Sequence, residues 1–304
     1  ATKEVNVDKI LKGQERRFRE IEKRAAKDAD YLAALAEHYF MGFYVKKNRR
    51  TGLRLYREAA AKGSALATFR IGELMMSGSD FDNNGSFEVP KNREKGLEMM
   101  NASAPLLKRL AGKSHGEAQF LVGTFHEDGR FGFDLSPKKA IDFFRRSANQ
   151  GDPRGFYASA KHSKESGKNA SRIKADLYHN SAILDYGPAA AKLGEFYERG
   201  IGRPKDIYKA RVWYQMGVYQ RDIESAVKEV SYLAKQIEDR DSEDEDLLWG
   251  WARVDERTMD VISEAVKNND ARGFEALAIA GGNFRAAHFY LRAIFSDPSN
   301  RRYW

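Results

Sequence analysis

Apolar residues recur along this chain in a short pattern that returns every 34 to 44 residues. An apolar pair is followed, after two positions, by a small pair. It reads Leu55-Tyr56 before Ala59-Ala60, Met99-Met100 before Ser103-Ala104, and Phe143-Phe144 before Ser147-Ala148. Leu177-Tyr178 before Ser181-Ala182 and Trp213-Tyr214 before Gly217-Val218 complete the set. Upstream lies a second landmark, a small residue six positions before a glycine: Ala36 and Gly42, Gly72 and Gly78, Gly123 and Gly129, Gly194 and Gly200. One unit keeps only Gly167, with Ala160 one place out of register. Spacing of this kind predicts a pair of helices per unit. The glycine ends the first helix, because only glycine enters the left-handed cap without strain. Pro90, Pro137 and Pro204 are expected in the first turn of second helices, and Gly63, Gly151 and Gly187 at their ends. Gly52, Gly96, Ala140 and Ala210, each four positions before the second apolar residue of its pair, are expected to let the helices approach closely.

The fullest unit spans 189–218. It contains Leu193-Gly194-Glu195-Phe196-Tyr197-Glu198-Arg199-Gly200-Ile201-Gly202 and then Lys209-Ala210-Arg211-Val212-Trp213-Tyr214. The unit at 117–151 is nearly as complete. This pattern resembles the Sel1-like repeat, an α/α relative of the tetratricopeptide repeat, over about residues 29–220. The resemblance implies an all-α, right-handed superhelical solenoid of about five helix pairs. The second unit departs from it by two insertions, at 79–88 and 105–115, and the fourth is degenerate.

A solenoid needs caps, because a terminal repeat exposes its apolar face. Residues 1–28 are expected to supply an N-terminal capping helix, and 29–220 the repeats. Residues 221–304 read as a C-terminal helical extension. They include helices near 222–238, 247–268 and 272–295, and an acidic run at 238–246.

Composition narrows the chemistry. The 304 residues include no cysteine, which excludes disulfides, thiolate metal sites and a thiol nucleophile. No apolar run approaches the length of a membrane span. The chain opens on Ala1 rather than Met, which reads as a processed or truncated N-terminus whose export signal is gone. No nucleophile elbow, dinucleotide fingerprint or zinc-protease motif occurs. Ala111-Gly112-Lys113-Ser114 ends like a phosphate loop, but Leu107 stands where the leading glycine belongs, so a turn is expected. The six histidines are scattered, and His38 and His126 are expected to be packing residues.

A net charge of +8 would suit nucleic acid, but its distribution does not. The positive excess falls on the second helices, while the first helices are mildly acidic. In tetratricopeptide-like solenoids the first helices line the concave face. By that resemblance Glu37, Tyr39, Glu73, Glu127, Glu195, Tyr197 and Glu198 are the candidate partner-binding residues. One loop also carries calcium-loop features: oxygen donors at Asp80, Asp82 and Asn84, a turn at Gly85, and Glu88. Lys91 occupies the position of the bidentate acid, so a turn-rich inter-helix loop is the alternative. No other cofactor is expected.

The residues assemble no catalytic device, and the expected function is a non-enzymatic protein–protein interaction scaffold. The resemblance implies a bacterial periplasmic or secreted protein. It includes immunity proteins that bind and neutralise phospholipase effectors of the type VI secretion system, and adaptors for envelope assembly or host interaction. A helical-repeat RNA binder is the alternative, which the acidic run and the non-basic first helices oppose.

Overall fold

The computed structural model describes residues 7–41, 45, 48–78, 88–163, 169–184, 186–238, 256–267 and 270–280. Among them the regular structure is all α-helix, with no strand. The chain divides into two compact units. The first holds α1 (Val7–Ala25), α2 (Ala29–Met41), α3 (Arg49–Ala61), α4 (Ala65–Ser77), α5 (Arg93–Gly112), α6 (Gly116–Asp128), α7 (Pro137–Asn149) and α8 (Pro153–His162). The second holds α9 (Ala170–Ala182), α10 (Gly187–Arg199), α11 (Ile207–Tyr219), α12 (Ile223–Glu238), α13 (Glu256–Lys267) and α14 (Ala271–Ala280).

Consecutive helices pair: α2 with α3, α4 with α5, α6 with α7, and α10 with α11. Their boundaries follow local chemistry. Side chains of Asn48, Ser64, Asn92, Ser136 and Asp206 accept a hydrogen bond from the backbone N–H three residues on, satisfying one orphan donor of each first turn. First helices α6 and α10 end on Gly129 and Gly200 in the left-handed conformation, at φ of 64° and 70°.

Two local expectations fail. Of the three prolines assigned to second helices, only Pro137 sits in the first turn. Pro90 and Pro204 precede their helices, because Asn92 and Asp206 are the caps. Gly187 does not end a helix; it opens α10, where an added Cβ would lie 2.5 Å from Asp222 Cβ. The insertion expected at 105–115 is mostly helix. Helix α5 runs on through Pro105 to Gly112, and only then turns, with Ser114 at φ 62°. Proline removes the bond to the carbonyl four residues back, and both Asn101 and Pro105 are exposed, which leaves that carbonyl on the solvent side of the helix.

Close approach depends on the small residues. An added Cβ at Gly72 would lie 2.7 Å from Met100 Cγ, and at Gly123 2.6 Å from the Phe144 ring. At Gly194 it would strike the Tyr214 ring. On the second helices, Cβ atoms at Gly52 and Gly96 would lie 2.9 and 2.7 Å from the backbone oxygens of Ala36 and Gly72. Large side chains therefore fill notches left by missing ones. A core through Ala36, Tyr56, Leu66, Phe69, Leu107, Val122 and Phe125 binds the first unit. Helix α1 rests on α2 through Phe18, edge-on to His38 at 5.2 Å, and through Arg24 over Tyr31 at 3.9 Å. In the second unit Val218, Val230, Ile262 and Ala276 join α11 to α12, α13 and α14. The last two helices begin at 256 and 271; the acidic residues 239–246 and the stretch 281–304 lie outside the described residues.

Candidate functional site

Within the first unit the first helices share one side, and there they enclose a small cleft. It is lined by Ala33 and Glu37 of α2, Tyr56 of α3, Leu66, Phe69, Arg70 and Glu73 of α4, Glu117 and Leu121 of α6, and Arg154 of α8. Its volume is about 60 Å³, room for several water molecules.

Two arginines organise the cleft. Arg70 donates from Nη1 to Glu73 at 3.0 Å, and its Nε lies 3.5 Å from Glu37. The Tyr56 hydroxyl donates to the same Glu37 carboxylate. Arg154 donates from Nε and Nη2 to Asp152, at 3.1 and 2.7 Å, and from Nη1 to Glu117 at 3.2 Å. Asp152 also caps α8 through the Arg154 backbone N–H at 2.9 Å. Arg154 lies 4.9 Å over the Phe120 ring and Arg70 lies 5.8 Å over Phe40.

Burial and charge oppose each other here. Burial disfavours the arginine cations, yet the carboxylates outweigh it and raise both above the usual guanidinium range. At Glu117 burial wins. Its carboxyl is held above the usual carboxylate range although Arg154 pulls the other way. Burial, then Glu37, lifts the Tyr56 hydroxyl well above its usual value, so it stays a donor.

Of the residues expected from sequence, the structure brings Glu37 and Glu73 together in this cleft. Tyr39 is partly buried on α2 against the core. Glu127, on α6, pairs with His162 Nε2 at 2.9 Å, and His162 stacks on Phe144. The other three sit on α10 in the second unit. Glu198 accepts from the Tyr214 hydroxyl at 2.7 Å, and Lys209 lies 5.8 Å over the Tyr197 ring. Glu195 accepts from Arg199 at 2.8 Å and lies 3.4 Å from Lys192. Burial works against its ionisation, but these cations hold its carboxyl below the usual range. The expected acidic stripe is thus a set of acids each engaged by a neighbour. Among the calcium-loop candidates, Asp80, Asp82 and Asn84 lie outside the described residues. Glu88 is paired with Arg50 at 2.7 Å. No group of three metal-ligating side chains occurs among the described residues.

Arg70, Glu117 and Arg154 escaped the sequence reading. A signal existed. Glu117 and Arg154 each lie six residues before the small landmark of their unit, Gly123 and Ala160. The charged position in the first turn of a first helix was therefore readable from the repeat register.

Comparison with known families bears on the whole arrangement. The Sel1 repeat matches residues 29–64, 65–104, 116–152 and 187–222, which are the four helix pairs described above. This chain is a Sel1-repeat protein. Residues 153–186, expected to be a further unit, carry no match; there the glycine register is lost. Among solved structures, a Sel1 repeat protein from Oxalobacter formigenes is 20% identical, with 75% of this chain and 88% of that one covered and a TM-score of 0.47. Immunity protein Pa5087 from Pseudomonas aeruginosa is 17% identical, with 82% of each chain covered and a TM-score of 0.43. Immunity protein PA5088 from the same organism is 14% identical, with 83% and 82% covered and a TM-score of 0.42. No curated protein matches the sequence. Sel1 repeats are protein-interaction scaffolds, and no catalytic family matches this chain. No helix among the described residues is long and apolar enough to cross a membrane.

Proposed function

We propose that this Sel1-repeat protein is a binding scaffold and that the side formed by α2, α4, α6 and α8 holds a protein partner. The cleft carries the reading. Five charged side chains from four helices, spread from position 37 to 154, converge on a cavity whose wall is completed by Ala33, Leu66, Phe69 and Leu121. Stability alone does not require this. A buried ion-pair network contributes little more than well-packed apolar residues of the same volume. Such convergence suits recognition, where partly desolvated charges discriminate between partners.

The test uses a photo-activated cross-linker at Leu121 in the cleft and, as control, at Tyr208, which is 82% exposed in the second unit. The expected result is one protein captured in the source cells from Leu121 and not from Tyr208. With that protein purified, Arg154→Glu and Glu73→Lys should each raise Kd at least about tenfold. An affinity unchanged by both would put the interface elsewhere. Our finer reading is an immunity protein that neutralises a secreted phospholipase in the bacterial periplasm; the family resemblance supports it. Stoichiometric inhibition of lipid hydrolysis by the captured partner tests it. A partner without lipase activity would end the finer reading and leave the scaffold standing.

A further inference from the structure

We infer that the cleft across α2, α4, α6 and α8 receives a cationic side chain of the bound protein, a lysine or arginine, with its methylene stem against Leu66, Phe69 and Leu121. The inference rests on the protein-binding reading above and names the group the site holds. Three observations carry it.

The first is the charge count. Glu37, Glu73 and Glu117 line the cleft, and Asp152 stands directly behind Arg154. Two arginines face these four acids. Arg154 spends its Nε and Nη2 on Asp152 and its Nη1 on Glu117, and Arg70 lies between Glu73 and Glu37. An incoming anion would have to displace a bond at Arg154 and would meet the surplus of carboxylates. An incoming cation would not, because a carboxylate can accept about four hydrogen bonds, and Glu73 and Glu117 each take one from an arginine.

The second is Glu117 itself. With an arginine 3.2 Å away, its ionised form is still under-compensated, because burial dominates. His115, Asp152, Arg154 and the more distant Glu37 are the other titratable groups acting on it, and they do not restore the balance. A further positive charge at this spot would.

The third is size and lining. A space of about 60 Å³ admits the end of a side chain. Drug-sized ligands occupy pockets of roughly 300–1,000 Å³. Charged head among carboxylates, alkyl stem along apolar wall: this is how lysine and arginine divide themselves between water and an apolar surface.

The experiment is a titration followed by methyl NMR of Ala33, Leu66 and Leu121. The probes are Nα-acetyl-lysine N-methylamide and its arginine, glutamate and norleucine counterparts, at matched ionic strength. The lysine or arginine probe should shift these methyls saturably, with a Kd in the millimolar range, and norleucine should not. Glu117→Gln should weaken that binding about tenfold. Because Glu117 is packed against Arg154, Glu73→Gln on the more exposed rim provides a second variant. Both are checked for an unchanged helical spectrum. Saturation of Glu117 by the cation should also lower the pH at which its carboxyl carbon titrates. The inference is overturned by no saturable shift with either cation, by the norleucine probe shifting the same methyls as strongly, or by cation binding undiminished in both variants. Binding of the glutamate probe alone would overturn it too, while leaving the protein-binding reading to the cross-linking test.

Discussion

Gly96 on α5 offers the sharpest test of how the helix pairs are held. In Gly96→Ala the new Cβ would sit 2.7 Å from the backbone oxygen of Gly72, with Met76 N at 3.2 Å and Met75 Cβ at 3.3 Å. Ordinary contact starts near 3.4 Å, so α4 and α5 must separate by about 0.7 Å. A gap of that size forfeits a quarter to a half of the dispersion energy along the contact. Overpacking costs about 1–3 kcal/mol, and a backbone obstacle, which cannot rotate away, belongs at the upper end. Alanine regains about 1 kcal/mol of helix propensity. The net loss is about 2 kcal/mol, or a fall in Tm of roughly 4–8 °C. Gly112→Ala on the same helix is the control, since nothing lies within 4 Å of its Cβ. That variant should melt at or slightly above the parent temperature. Melting followed by circular dichroism measures both, and hydrogen exchange should show the damage centred on α4 and α5, because repeats couple chiefly to their neighbours. If Gly96→Ala melts at or above the parent temperature, the close-approach account of the pairs is wrong.

Three further outcomes follow from the geometry. Phe144 is 1% exposed against the Gly123 notch, so Phe144→Ala should cost about 3–5 kcal/mol and open the 116–152 repeat to proteolysis; Tyr208→Ala, at an 82% exposed position, should stay within about 0.5 kcal/mol. Tyr214→Phe removes the donor to Glu198 and should cost about 1 kcal/mol in urea unfolding, and an unshifted midpoint would show that water replaces it. Glu117 has a folded-state pKa above the ordinary 4.5, so the native protein binds its proton more tightly than the unfolded chain does. Its contribution to stability is therefore greatest below 4.5 and declines as pH rises from there through the raised value. In urea series from acid to neutral pH, Glu117→Gln should gain on the parent protein as pH rises; a parallel pair of curves would contradict the assignment.

The helix pairs were legible in the sequence because their cause is local and periodic. Gly72, Gly123 and Gly194 must be small where Met100, Phe144 and Tyr214 are large, and each member recurs once per repeat. Helix starts were less legible, since Pro90 and Pro204 drew attention from Asn92 and Asp206. Those two were readable as cap residues by the amide they bind three positions on. Helix α5 passing through Pro105 was hidden because an interior proline, which lacks the N–H for the helical ladder, argues against a continuous helix. The site was half legible. Glu37 and Glu73 follow the small landmark directly, whereas Glu117 and Arg154 meet them only when four first helices lie side by side. Whether an acid is free or engaged was not legible at all. Glu198 and Glu195 look alike on paper, yet one accepts from a tyrosine and the other from an arginine.

Tyr56 and Tyr214 hold the same place in the repeat, and both rings are buried. Their hydroxyls nevertheless reach different targets: Glu37, one residue past the small landmark Ala36, and Glu198, four past Gly194. One ring position thus serves acceptors a helical turn apart. The acid that a pair carries can therefore sit a turn away while the buried tyrosine hydroxyl stays satisfied, so the fold does not fix where along the first helix that acid stands.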